Sequence, residues 1–193
     1  MHPAAARPLL TIDATDRIVF VNDAWVRFAR SVTVTPAQAQ MLTVDTVIGR
    51  PIWDFVDGVQ VRQLWEVLYE RVRAVGAPVF VPMRADTSRM RRVFDVELHP
   101  IGERAIQHVY ECAWTEARPP VALLDFASPR NGVSLPHCAW CARIQIRVGV
   151  WEEIEDAQLL LHLDPADALP MLKSAACSSC KQSLLKTFPA RVA

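Results

Sequence analysis

Apolar residues open the chain in two short runs. Leu9–Thr11 and Ile18–Val21 read as strands joined by a polar turn, Asp13 to Asp16. Asn22 or Asp23 can then cap a helix whose buried side carries Trp25, Val26, Phe28 and Ala29. Residues 31–48 read as loop or short helix. Gly49-Arg50-Pro51 breaks the pattern, and Pro51 opens a short helical turn bearing Ile52, Trp53 and Phe55. The period then changes. Val61, Leu64, Trp65, Leu68 and Val72 recur every three or four positions, which predicts a helix over 59–75 that ends at Gly76-Ala77-Pro78. Three strands follow, 79–85, 92–101 and 105–116. In the middle one Phe94, Val96 and Leu98 share a face opposite Asp95, Glu97 and His99.

Strand, strand, helices and three turn-linked strands describe an α+β unit over residues 1–116. Its five-stranded sheet is antiparallel, with the helices on one face. From Ala117 the character changes. Pro119, Pro120, Pro129 and Pro136 mark residues 117–136 as a linker, within which Val121 to Phe126 can pack as a short element. Residues 137–193 form a second, cysteine-bearing module. It has a strand-like stretch from Ala142 to Val150, a helix near Trp151 to His162, breaks at Pro165 and Pro170, and a terminal helix from Cys180 to Lys186.

Composition narrows the picture. Hydrophobic residues make up 51% and charged residues 22%, enough apolar material for a packed core. Formal net charge is zero, which argues against nucleic acid as a partner. Arg143 and Arg147 on one strand are too few for a phosphate track. No apolar run approaches the ~20 residues of a membrane helix. The start, with its short apolar stretch before acidic residues, does not read as a signal peptide. These points favour a cytoplasmic location, where paired cysteines serve as metal ligands or redox centres more readily than as structural disulfides.

Four of the five cysteines form two CxxC pairs, Cys138 with Cys141 and Cys177 with Cys180. Each spacing turns two sulfurs toward one point. Four thiolates close a tetrahedral zinc shell and leave no position for a substrate water, so such a site is structural. A small module has little core of its own, and metal binding would supply folding free energy. The same residues also read as two dithiols that close to disulfides, with or without metal release. Covalent haem needs C-x-x-C-H, and here His137 precedes the pair instead. His137 could replace a cysteine as ligand, but its adjacency to Cys138 makes simultaneous binding strained. Cys112, in the last strand of the first unit, reads as a small buried hydrophobe.

Residues 9–116 resemble a PAS domain, the small sensor fold of signalling proteins. The resemblance rests on IDATDRIVFVNDAW at 12–25, on VIGRPIWDFV at 47–56, and on the long helix followed by three strands. CAWCARIQIRVGVWEEIED followed by ACSSCKQSL is similar to a cysteine tail found after PAS domains in bacterial sensor proteins. The match includes Trp140, Arg143, Trp151, Glu152, Glu153 and Ile154. Ser178-Ser179 and the stretch Leu159 to Met171 depart from that pattern, which leaves the four sulfurs in place. The resemblance implies a PAS-like sheet with a zinc-ribbon-like tail, a role in signal transduction, a protein partner and self-association as a homodimer.

If Gln107, Glu111 and Thr115 of the last strand face solvent, then Ile106, His108, Tyr110, Cys112 and Trp114 face the helices. His108, Tyr110, Trp114, Phe94, Leu98 and Trp65 then line either a filled core or a small-molecule pocket with polar handles. Helix 59–75 lacks the histidine of haem-binding relatives, and no cysteine before Cys112 suits flavin photochemistry, so neither haem nor flavin is expected. Ser31 has no histidine in a matching context, and six scattered glycines make no phosphate loop. Glu152, Glu153 and Glu155 read as an exposed acidic face. Trp140, Trp151 and Leu159 to Leu161 offer a docking surface, although those three leucines fit a core role better. The expectation is a non-enzymatic sensor or adaptor.

Overall fold

The structure, a computed structural model, describes residues 6–32 and 36–186, with side chains of 36–38 left aside. Strands β1 (Leu9–Ile12) and β2 (Ile18–Val21) form a hairpin. Helix α1 (Asp23–Val32) follows, capped by Asn22. Its Oδ1 accepts from Trp25 N–H at 2.8 Å and from Leu9 N–H at 3.0 Å, so one side chain starts the helix and ties it to β1. The ambiguous stretch 31–48 contains two short helices, α2 (Pro36–Met41) and α3 (Val44–Val47), the latter opened by a Thr43–Thr46 capping box; residues 33–35 lie outside the described residues. A 3-10 turn over Ile52–Phe55 leads to the long helix α4 (Val59–Val75).

Strands β3 (Val79–Arg84), β4 (Met90–Ile101) and β5 (Ala105–Ala117) complete an antiparallel sheet of order β2-β1-β5-β4-β3. One register row, Leu10–His108–Leu98–Val79, is buried. With Ile12, Ile106, Val96 and Phe94 it packs on α1 and on the predicted stripe of α4. The opposite face carries Phe20 and Phe80 in the open. The fold of this unit is therefore α+β, an antiparallel five-stranded sheet with helices packed on one face.

Two residues of β5 depart from expectation. A bulge lets Phe94 pair with Cys112 and Val93 with Trp114, so Ala113 is an extra residue and the side-chain alternation inverts beyond it. Trp114 thus turns away from the helices and is 48% exposed. The strand also runs past the helical layer. Every residue from Glu111 to Ala117 is exposed, and Cys112 is a surface thiol rather than a buried hydrophobe.

The C-terminal part forms a second sheet of order β8-β7-β6-β9. Its strands are β6 (Arg130–Cys138), β7 (Ile144–Arg147), β8 (Val150–Glu152) and β9 (Leu169–Ala175), with β6 and β9 parallel. Helix α5 (Ile154–Leu160) covers it, and α6 (Ser178–Lys186) follows the second CxxC. The stretch 117–136 is more than a connection. Val121, Leu123 and Leu124 enter the core of this sheet with Ile144, Ile154, Ala157 and Leu169, and most of β6 lies within it. The expected strand 142–150 is instead the hairpin β7–β8, and Trp151 belongs to β8 rather than to the helix. Strand β9 had no expectation, since Pro170 argued for a break. At an edge strand a proline's missing N–H costs no ladder bond. Leu159 and Leu160 are 74% and 56% exposed, so they are not core residues.

Candidate metal centre and its seat on the first sheet

The two CxxC turns meet. The sulfurs of Cys138, Cys141, Cys177 and Cys180 all lie within 4.8 Å of one another. Strand β6 delivers Cys138, the turn after it delivers Cys141, and the parallel partner β9 brings Cys177 alongside. Cys138 pairs across the ladder with Ala175, two residues short of Cys177. The start of α6 then returns Cys180 to the group. A tetrahedral zinc ion with Zn–S bonds of about 2.3 Å needs neighbouring sulfurs roughly 3.8 Å apart. The Cys141–Cys177 separation is 3.8 Å. Backbone donors already face the sulfurs, from Cys177 N–H to Cys138 Sγ at 3.4 Å and from Cys180 N–H to Cys177 Sγ at 3.3 Å.

The protonation chemistry fits a cation as well. Hydrogen bonds from Cys141 and Cys180 hold the Cys138 thiol far below its ordinary value. The same contacts act in reverse on the donors. Cys138 pushes Cys141 up to about 12 and, with Cys141, drives Cys180 still higher. Four packed thiols cannot all ionise on their own. A divalent cation supplies the opposing charge and makes four thiolates compatible. These four cysteines therefore form a cluster that can hold a metal ion.

The cluster sits on the first sheet. Trp140, between the two cysteines of its knuckle, is 4% exposed and packs on Trp65 of α4, ring centroids 6.0 Å apart. Its carbonyl accepts from Arg84 N–H of edge strand β3 at 2.7 Å. Behind Trp65 lies the buried imidazole of His108, ringed by Trp65 at 6.0 Å, Tyr69 at 5.3 Å and Tyr110 at 6.3 Å. Burial, with a smaller push from Arg73, lowers His108 to about 3, so it is neutral. Neither of its ring nitrogens has a hydrogen-bond partner among the described residues, nor has the Trp140 indole nitrogen. A second attachment lies at the start of α4. Gly58 has φ +86° and meets the Ser174 backbone of β9 so closely that a Cβ there would collide with the Ser174 carbonyl. Asp57 accepts from Ser174 N–H at 3.2 Å, and Arg71 donates to the Leu185 carbonyl of α6 at 3.0 Å.

A chain of charges closes the seam. Asp86, with only 1% of its side chain exposed, binds Arg84 at 2.5 Å and Arg118 at 3.3 Å. Arg84 continues to Glu153, and Arg118 and Arg91 to Glu155, at 2.5, 3.1 and 2.8 Å. Arg143 also pairs with Glu153, at 3.1 Å. Burial raises both glutamates, but Arg84 and Arg143 outweigh it at Glu153, as a backbone hydrogen bond with Arg91 and Arg118 does at Glu155. Both carboxyls sit below their ordinary value. The expected exposed acidic face is not found: Glu152, Glu153 and Glu155 are all half-buried, and Glu153 and Glu155 are ion-paired docking residues.

Of the six residues expected around a pocket, His108, Tyr110, Phe94, Leu98 and Trp65 share the core against the helices, and Trp114 does not. His99 pairs with Glu97 at 2.7 Å on the outer face. Sequence reasoning missed Arg84, Asp86 and Arg118, which stand at strand ends in no readable pattern. Trp140 had a signal, an aromatic residue inside a metal knuckle, but its destination was not visible.

Comparison with solved structures finds similarities that include a PAS domain and a domain of an HTR-like protein. The chain resembles the PAS domain of BvgS from Bordetella pertussis at 22% identity and TM-score 0.43, over 56% of this chain and 77% of that one. It also resembles a domain of an HTR-like protein from Haloarcula marismortui ATCC 43049 at 13% identity and TM-score 0.40, over 56% of this chain and 98% of that one. No family model matches the chain, and no curated protein matches it. Among the described residues, no helix is long and apolar enough to cross a membrane.

Proposed function

We propose that the chain is a cytoplasmic signalling sensor or adaptor without catalysis of its own. In this reading a PAS-type unit receives the signal, and a zinc ion on Cys138, Cys141, Cys177 and Cys180 holds the C-terminal module against it. The observation that carries the reading is the convergence of four sulfurs at zinc spacing beside a knuckle tryptophan buried on the sensor helix. His108, Tyr110, Phe94, Leu98 and Trp65 are its candidate ligand-facing residues, and Trp114 is withdrawn from that set. Output passes to a partner protein or a second copy of the chain. Phe20 and Phe80, 47% and 58% exposed on the outer sheet face, give apolar area for either.

Metal analysis of the purified protein tests this. About one zinc per chain is expected, retained in Cys112→Ser and lost in Cys138→Ser or Cys177→Ser. Metal-free protein with two disulfides sinks the reading. An absorption spectrum with haem or flavin bands would overturn the colourless sensor. A second reading, a thiol redox switch, is favoured by one observation: Cys138 and Cys177 are buried, whereas Cys141 and Cys180 are half-exposed.

A further inference from the structure

The four sulfurs are not equivalent. Cys138 and Cys177 are 0% and 4% exposed. Cys141 and Cys180 instead line a groove of about 290 Å³, between β3 of the sensor sheet and α6. Its other walls are mostly apolar, from Pro82, Met83, Val93, Trp140 and Leu184, with Arg84 and Ser183 as the polar exceptions. A metal centre closed on every side would be inert. This one has a sealed half and an open half, and the open half is reached along an apolar path.

We infer that Cys141 and Cys180 are the reactive half of the centre, and that the groove admits an apolar organic hydroperoxide which oxidises them to a Cys141–Cys180 disulfide with loss of the metal. The inference rests on the redox reading above and names its oxidant and its bond. One thiolate of the pair attacks the distal oxygen of the O–O bond and becomes a sulfenic acid, and the alkoxide leaves as an alcohol after taking a proton. The second thiolate attacks that sulfur, the S–S bond forms, and hydroxide leaves as water with another proton. Two electrons pass from sulfur to oxygen. Two of four ligands are gone, and Cys138 and Cys177 alone cannot close the shell, so the ion is released.

The identity of the pair has a structural consequence. Cys141 belongs to the first knuckle and Cys180 to the second, so their bond replaces the cross-link that the metal supplied. A bond within either CxxC would leave the knuckles free to part. The oxidised protein therefore gives up its ion while α6 stays beside β3.

The test uses the full chain loaded with zinc. Equimolar cumene hydroperoxide should release zinc, read with a colorimetric chelator, and peptide mapping should find Cys141 joined to Cys180. Met83→Glu places a carboxylate in the groove. It should slow the cumene hydroperoxide reaction roughly tenfold relative to hydrogen peroxide, which needs no apolar wall. Pro82→Glu, at an exposed position, serves the same comparison if Met83→Glu does not fold. A first disulfide that contains Cys138 or Cys177, or equal slowing of both peroxides, overturns the inference. If the purified protein carries no zinc, the structural-metal proposal fails by itself. Thiol loss and the disulfide map then still decide which pair reacts.

Discussion

Replacing Gly58 by alanine isolates the contact that seats the second sheet on the start of α4. Two costs act there. The first is conformational. Gly58 has φ +86° and ψ 122°, which an L-residue adopts at a cost of roughly 1–3 kcal/mol. The second is steric. The added Cβ would strike the Ser174 carbonyl and crowd its carbon at 3.2 Å, and both are backbone atoms of a paired strand that cannot swing aside as a side-chain tip would. Overpacking of this kind adds roughly 1–3 kcal/mol. Gly76 is the control. It also has positive φ, +68°, at the C-cap of the same helix, but a Cβ there meets nothing within 4 Å. Gly76→Ala should therefore cost only about 1–2 kcal/mol. Urea unfolding at constant protein and zinc concentration, followed by circular dichroism, measures both. Gly58→Ala should lose clearly more stability than Gly76→Ala and should speed proteolysis within β9. Equal losses would show that the helix start and β9 do not press together, and the seating described above would be wrong.

Other outcomes follow from the charged seam and the aromatic core. Asp86→Ala leaves Arg84 and Arg118 with one carboxylate partner fewer in a buried site and should cost about 3 kcal/mol or more, against less than about 1 for Arg7→Ala at the exposed Arg7–Glu111 pair; urea midpoints distinguish them. Glu153 and Glu155 have depressed folded values, so their contribution is present above the ordinary carboxylate value of 4.5 and is lost as pH falls through the folded values. The stability gap between wild type and Glu153→Gln should hold at neutral pH and shrink as pH falls below the ordinary value of 4.5, and a gap that stays constant refutes the pairing. His108 is also depressed, to about 3, so the unfolded chain binds the extra proton below about pH 6.5 and stability should fall by a few kcal/mol toward pH 3; His108→Phe should remove that component and cost little at pH 7, since the imidazole nitrogens have no partner to lose among the described residues.

The stripe Val61, Leu64, Leu68 and Val72 marks α4 because a helix buries one face at a fixed period. The alternation Phe94, Val96 and Leu98 marks β4 for the same reason at a period of two. The CxxC spacings disclose the metal cluster because four residues in a tight turn fix two sulfurs locally. Each is a short-range signal, carried by neighbours along the chain. Trp114 shows where such signals stop. Its side depends on one extra residue at Ala113, and nothing in WTEA distinguishes a bulged strand from a regular one. Strand β9 shows another limit, since its pairing partner β6 lies more than thirty positions upstream and the proline between its apolar residues reads locally as a break.

By itself, then, the sequence marked the strands and the long helix of the first unit and the two cysteine knuckles, because these follow from local periodicity and turn geometry, whereas the β6–β9 pairing is what brings the two knuckles together. The tertiary structure alone decided what those elements rest on. It placed Trp140 against Trp65, set Glu153 and Glu155 among Arg84, Arg91 and Arg118, and left Cys141 and Cys180 open while Cys138 and Cys177 were sealed. These are contacts between residues tens of positions apart. Their energy comes from removing specific surfaces from water together, and that pairing exists only once the two sheets have met.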